Sequence, residues 1–263
     1  MGSATTQALA ATTSALGAAS GVDLDVAGEL FAAARAVGDS SQLSGALADS
    51  AAPVEARRQV VAGVFGPAVK PTTASLLTTV VEQRWSSAAD LVDGIVELGV
   101  RAAAIAAPEA DVEAELFRFS RTVAENPELE LALGGRLGDS AAKGTLVETL
   151  LAGRASAAAT LVAASLVRQP RERRVRQLLA HAMKTVADQR GRTVATVYSA
   201  AALSDLQIQR LAKTLSARYG ASVTLNTVVD PTVVGGLRVQ IADNVIDATV
   251  SSRLADLRQR LAG

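Results

Sequence analysis

Five arginines, Arg168, Arg171, Arg173, Arg174 and Arg176, crowd one short stretch, interrupted by a single carboxylate, Glu172. Guanidinium groups at that spacing can hold phosphates or pair with the carboxylates of an acidic partner helix. The plainer reading is a solvated turn; the sharper one makes the five a candidate partner contact. Nucleic acid is disfavoured as that partner. Lysine plus arginine equals aspartate plus glutamate at 26 each, and aromatics are 3% of the chain. No base-stacking platform or reader motif is present.

Other chemistry-bearing residues carry less. Gly235-Gly236 could cradle a phosphate, but neither GxxxxGK[ST] nor GxGxxG surrounds the pair. Beside Asp230-Pro231 it reads as architecture, since glycine permits positive φ just before a strand. His181 is the one histidine and has no second imidazole with which to share a metal, so it is expected to be packed or on the surface. Asp23 and Asp25 resemble a fragment of a calcium loop that lacks the glycine and terminal glutamate such a loop needs; an acidic helix start fits better. Cysteine is absent, which removes disulfides, thiolate nucleophiles and thiolate metal sites and fits a reducing compartment. No catalytic, cofactor-binding or metal-binding residues are assigned.

The elements that would position these residues are mostly helical. Hydrophobic residues are 49% of the 263, charged residues 20%, a balance that favours packed Ala- and Leu-rich helices. That length predicts about two domains. The longest apolar runs, Ala155 to Val167 and Ala102 to Ala107, fall short of the roughly 20 residues that span a bilayer, so no direct membrane span is expected. No basic segment leads into an apolar run at the N-terminus, which argues against a signal peptide. Met1 to Thr6 matches a myristoylation pattern too short to carry weight.

A weak internal repeat appears at an offset of about 86 residues. Leu43, Leu47, Val60, Val61, Val64, Phe65, Leu76, Leu77, Val80 and Val81 are echoed by Leu129, Leu133, Leu146, Val147, Leu150, Leu151, Leu161, Val162 and Leu166. Upstream of each series stands the same tripeptide, Glu29-Leu30-Phe31 and Glu115-Leu116-Phe117. Apolar spacings of three and four make stripes that must be buried between helices, which predicts a bundle for each copy. Pro108, with Glu109 and Asp111 after it, sets the expected border between the copies. Trp85 is read as an anchor of the first bundle's core.

After Gly191 the pattern changes. Thr193 to Ser199 and Val223 to Val229 read as strands. Between them Ser204 and Gln207 form a capping-box pattern ahead of the stripe Ile208, Leu211, Ala212, Leu215 and Tyr219, and Gly220 is placed as the stop. Leu237, Val239 and Ile241, a turn at Asp243-Asn244, then Val245, Ile246 and Ala248 predict a hairpin. Leu254, Leu257 and Leu261 stripe a closing helix. The fold class is thus mostly α: helical-bundle units over 1–108 and 109–190, then a small α+β C-terminal domain over 191–263 with a β-hairpin.

The run from Val229 through Asp230, Pro231, Gly235, Gly236, Leu237, Ile246 and Asp247 to Val250, followed by Arg253 and Leu254, closely resembles the signature of the ATP synthase delta subunit, or oligomycin-sensitivity-conferring protein, family. The likeness extends upstream through Val197 to Ala200, Leu203-Ser204 and the stretch from Asn126 to about Arg176. The chain departs from the usual pattern in carrying the extra helical copy, similar to the enlarged actinobacterial type. It also has Ala248 and Thr249 where glycine and serine are frequent in the family.

The resemblance implies a non-catalytic peripheral-stalk connector without cofactors. It would sit on the cytoplasmic face of the bacterial plasma membrane, its helical region gripping N-terminal helices of the alpha subunits and its C-terminal domain joining the b subunit. The competing readings are a helical adaptor of an unrelated complex, which would lack the signature, and a small α/β enzyme, which would need a cleft of ionisable groups that this sequence does not advertise.

Overall fold

The computed structural model describes residues 2–135, 138–171, 173–220, 222–241, 244–247 and 249. The chain divides into two compact units, Met1–Val186 and Ala187–Gly263. The first is helical. Its elements are α1 (Ser3–Ala18), α2 (Leu24–Gly38), α3 (Ser41–Ala48), α4 (Val54–Val64), α5 (Pro71–Glu82), α6 (Ala88–Ala106), α7 (Val112–Glu125), α8 (Pro127–Gly134), α9 (Ser140–Leu151), α10 (Ala157–Arg168) and α11 (Val175–Gln189), whose last residues, from Ala187, fall in the second unit. Short polar side chains start many of them. Asp23, Ser40, Ser87, Asp111, Asp139 and Ser156 each accept a bond from the backbone N–H of the second or third helical residue, a cap worth about 1 kcal/mol. Pro108 lies past the end of α6 and Asp111 caps α7, while the compact unit continues through both.

The repeat is visible in the packing. α4 lies on α5 as α9 lies on α10; α2 contacts α3 and α5 as α7 contacts α8 and α10. α1 meets α5, and the helix that meets α10 in the same way is α6. One helix therefore serves both copies. α6 closes the first bundle against α2 and holds in the second the place that α1 holds in the first. That double use explains its burial, since Ala89 alone of its residues is exposed. Small residues let two aromatic rings approach its backbone: a Cβ on Gly94 would strike the Trp85 ring at 2.2 Å, and one on Gly99 would sit 3.1 Å from Phe31.

The echoed positions are buried in pairs, Leu47 with Leu133, Val61 with Val147, and Val80 and Val81 with Leu166 and Val167. Two stripe positions depart from the expectation. Val64 is 49% exposed and Leu146 39%, because α4 and α9 are outer helices that bury only the face turned toward α5 or α10.

The shared Glu-Leu-Phe now has a physical reason. The Glu29 carboxylate accepts from Lys70 N at 2.9 Å and Thr73 Oγ1 at 2.5 Å; Glu115 accepts from Ser156 N at 3.0 Å and Ser156 Oγ at 2.5 Å. In each copy the glutamate of the second helix reaches across to the N-terminus of the fifth, where backbone N–H groups are unpaired and the helix dipole favours an anion. Glu115→Ala removes two bonds to a charged acceptor and is expected to lower the stability of the helical unit by about 2–3 kcal/mol, read by urea unfolding. Glu29→Ala should cost a similar amount, and an exposed control such as Glu55→Ala almost nothing.

The second unit is an α+β fold made of β1 (Arg192–Ser199), α12 (Asp205–Tyr219), β2 (Ser222–Val229), β3 (Leu237–Ile241) and β4 (Asn244–Asp247). The sheet order is β2-β1-β3-β4. β1 and β2 are parallel, with α12 as the crossover, and β3 returns antiparallel to both β1 and β4. The capping box at Ser204 and Gln207 forms as expected, and Gly220 ends α12 in the left-handed region. Ala195, Val197, Val223, Val239 and Ile241 make the core with Leu215.

Candidate functional site

The signature residues build the connection between β2 and β3. Asp230 N donates to Ser199 O at 2.8 Å, tying the end of β2 to β1, and Val233 N closes a turn onto Asp230 O at 3.0 Å. The Asp230 carboxylate accepts from Thr232 N at 2.9 Å and Thr232 Oγ1 at 2.6 Å. Gly235 and Gly236 both have positive φ, 65° and 79°, which side-chain-bearing residues adopt only with strain. They deliver Leu237 into register with Ser199, and Ile246 opposite Val239. Arg238 lies 4.5 Å from the Tyr198 ring centroid and 3.8 Å from Asp230. Arg253, Leu254, the closing stripe Leu254, Leu257 and Leu261, and two hairpin positions, Asp243 and Ala248, lie outside the described residues.

Asp230 and Asp247 are held below the usual carboxylate value, first by the side-chain bonds from Thr232 and Thr249 and then by the backbone N–H groups of the same residues, with Arg238 adding a smaller pull. A carboxylate with a depressed folded pKa stabilises the fold above its unfolded pKa, and that contribution is lost as pH falls through the folded value. The stability of the C-terminal unit is therefore expected to fall on acidification below about pH 4. An Asp230→Asn, Asp247→Asn double variant should flatten that acid limb, and an unchanged limb would remove these two carboxylates from the account.

Beside this connection runs a groove of about 520 Å³ between the chain at Ser199 to Leu203, the α12 face of Gln207, Arg210 and Leu211, and Gly235 to Leu237. Leu206 and Val234 are more than 60% exposed.

In the helical unit the arginine run is brought against carboxylates from other helices. Arg168 pairs with Glu148 at 2.6 Å, Arg171 and Arg173 with Asp93 of α6 at 2.7 and 2.6 Å, and Arg176 with Glu130 of α8 at 3.0 Å. Arg174 is exposed and makes no ion pair among the described residues. Sequence spacing reveals none of these partners, because they lie 20 to 80 residues away. His181 is half-exposed, with Nε2 4.0 Å from Glu97, which is itself bonded to Arg101 at 2.8 Å. Asp23 and Asp25 both pair with Lys70, at 2.6 and 2.8 Å. The Lys70 bond is the main cause of the lowered Asp23 pKa, and the two aspartates hold the Lys70 ammonium above the usual lysine range.

A cleft of about 310 Å³ among α1, α2, α6, α10 and α11 has a mostly apolar lining that includes Leu9, Phe31 and Val100, together with Arg35. Burial, then repulsion from Arg168, pulls the Arg35 pKa down. Sequence reasoning passed over this residue, which carries no motif. Among the described residues no group of three or more His, Asp or Glu could hold a metal ion, and no helix is long and apolar enough to cross a membrane.

Paired helical bundles and a small α+β unit, with many charged groups of the helical unit held in caps and ion pairs, define a mostly α protein with a small α+β C-terminal unit. The model of the family described as ATP synthase delta (OSCP) subunit matches residues 100–261. The ATP synthase subunit delta of Leifsonia xyli subsp. xyli is 47% identical over the whole of both chains. That of Streptomyces avermitilis is 41% identical over 91% of this chain and 89% of its own, and that of Streptomyces griseus 39% identical over the whole of both. The chain belongs to the ATP synthase delta (OSCP) subunit family, in its enlarged actinobacterial form, and is a non-catalytic subunit of an ATP synthase. That membership sets aside both the unrelated adaptor and the α/β enzyme.

Proposed function

We propose that the chain is the connector of the peripheral stalk, binding the alpha3-beta3 head and the b-subunit stalk at once so that the head resists rotation. It acts on the cytoplasmic face of the bacterial plasma membrane, held there through the complex. The helical unit takes N-terminal helices of alpha subunits, and the C-terminal unit takes the b subunit. Family membership over residues 100–261 carries this reading. Rotation loads the joint with torque, so the joint must dissociate slowly, and separate weak contacts on one chain achieve this through high effective concentration. Apolar grooves between helices suit amphipathic helices laid into them.

The test is a pull-down of the tagged chain from detergent-solubilised membranes, with the co-purifying proteins identified by mass spectrometry. Recovery of alpha, beta and b subunits in stoichiometric amounts is the expected result. Recovery of the head without b, or of b without the head, would end the connector reading while leaving the family intact.

A further inference from the structure

Leu131 on α8 is 74% exposed, more than any other large apolar side chain among the described residues. It lines a depression of about 450 Å³ together with Pro127, Glu130, Pro170, Arg173, Arg174 and Arg176. Arg173 and Arg176 are paired on one side, with Asp93 and Glu130, yet their side chains remain 47% and 45% exposed. Each guanidinium offers five N–H donors, so one carboxylate leaves room for a second. Arg174 is exposed and has no carboxylate partner among the described residues.

The backbone here is also unusual. Arg171 has a φ of 47° and is the non-glycine residue with positive φ among those described. Such a conformation costs about 1–3 kcal/mol and persists where surrounding contacts enforce it. Arg171 and Arg173 share Asp93. None of this exists in the first copy, where the positions equivalent to Leu131, Arg173, Arg174 and Arg176 are Gly45, Ser87, Ala88 and Asp90.

We propose that this corner of the second copy is a docking site for an amphipathic helix of another protein chain, one that places carboxylates on either side of an apolar stripe. The stripe covers Leu131 and the two prolines, and the carboxylates meet the outward faces of Arg173, Arg174 and Arg176. The two copies are then not interchangeable, because the first lacks the apolar knob and the cations at the positions of Arg173, Arg174 and Arg176, and has exposed Arg84 in the place of Pro170. The inference rests on the chain working as a connector inside the synthase.

The test replaces Leu131 with a benzophenone-bearing amino acid in the full-length chain within the assembled complex, irradiates, and maps the cross-linked peptide by mass spectrometry. The expected product is a cross-link to a helical segment of another subunit with acidic residues flanking an apolar stripe. Arg174→Glu should lower its yield at least fivefold without loss of co-purification, and the same probe at Val64 on α4 should not label that segment. If the chain co-purifies with the synthase but position 131 labels nothing, or lipid, or a segment without carboxylates, or if Arg174→Glu leaves the yield unchanged, the docking site is refuted. If the chain does not co-purify at all, the connector reading fails, and this inference fails with it.

Discussion

Removing residues 1–108 is expected to leave the second helical copy unable to fold, whereas removing residues 1–87 is expected to leave it folded. The difference is α6. A cut after residue 108 follows the repeat as the sequence displays it, but it takes away one of the helices against which α10 packs. Val96 and Val100 of α6 line the cleft that Ser165 and Leu166 of α10 also line, and burying such side chains is worth ~1.5–3 kcal/mol each. Losing them removes a sizeable part of the ~5–15 kcal/mol that holds a whole domain together. The 88–263 chain keeps α6 but uncovers the side that met α2, where Gly99 faces Phe31 and Val92 faces Gly38. It should melt cooperatively at a lowered temperature and self-associate at high concentration.

Circular dichroism and gel filtration of the two truncations read this directly. A cooperative helical transition in 109–263 matching that of 88–263 would show that α6 is not shared. The same pair of chains settles how to ask whether the first copy adds a contact to the head. Affinity for isolated head should be compared between the full chain and 88–263, since any loss in 109–263 would report unfolding.

Trp85→Ala is expected to destabilise the helical unit by ~3–5 kcal/mol. The indole is 5% exposed, donates from Nε1 to Val80 O at 2.8 Å, and rests its ring on Gly94 of α6. Truncation therefore opens a cavity at the junction of α5 and α6 and removes the shorter of two bonds that the Val80 carbonyl accepts, the other coming from Gln83 N at 3.3 Å. Trp85→Phe keeps much of the packing and should cost ~1–2 kcal/mol, mainly the lost bond. Gly94→Ala should cost ~1–3 kcal/mol by forcing the ring outward. The two together should cost less than their sum, because the smaller ring makes room for the methyl group, a coupling expected only for residues in contact. Urea unfolding followed by circular dichroism measures all four variants, and strict additivity of the last pair would contradict the contact.

Much of the helical organisation was legible in the sequence. The paired stripes at an offset of about 86 residues, the common Glu-Leu-Phe, the capping box at Ser204 and Gln207, and the strands before and after α12 are local patterns, and each has its element in the structure. The stripes overreached at Val64 and Leu146, since periodicity shows which residues share a helix face but not whether another helix covers it. The signature residues were legible as a motif. Their individual work was not, because the Asp230 link to Ser199 joins residues on different strands and the φ of Gly235 and Gly236 is a property of the folded turn.

By itself the sequence determined the kinds of element, their order, the duplication and the family, because all four are written in neighbouring residues through helix and strand periods, caps and a contiguous motif. Tertiary structure alone decided that α6 serves both copies, that Glu29 and Glu115 anchor the starts of α5 and α10, and that four of the five arginines have carboxylate partners while Arg174 has none among the described residues. Each of those depends on residues brought together from 20 to 80 positions apart. Such proximity comes from the burial of whole helices against one another, a collective free energy that no local pattern records.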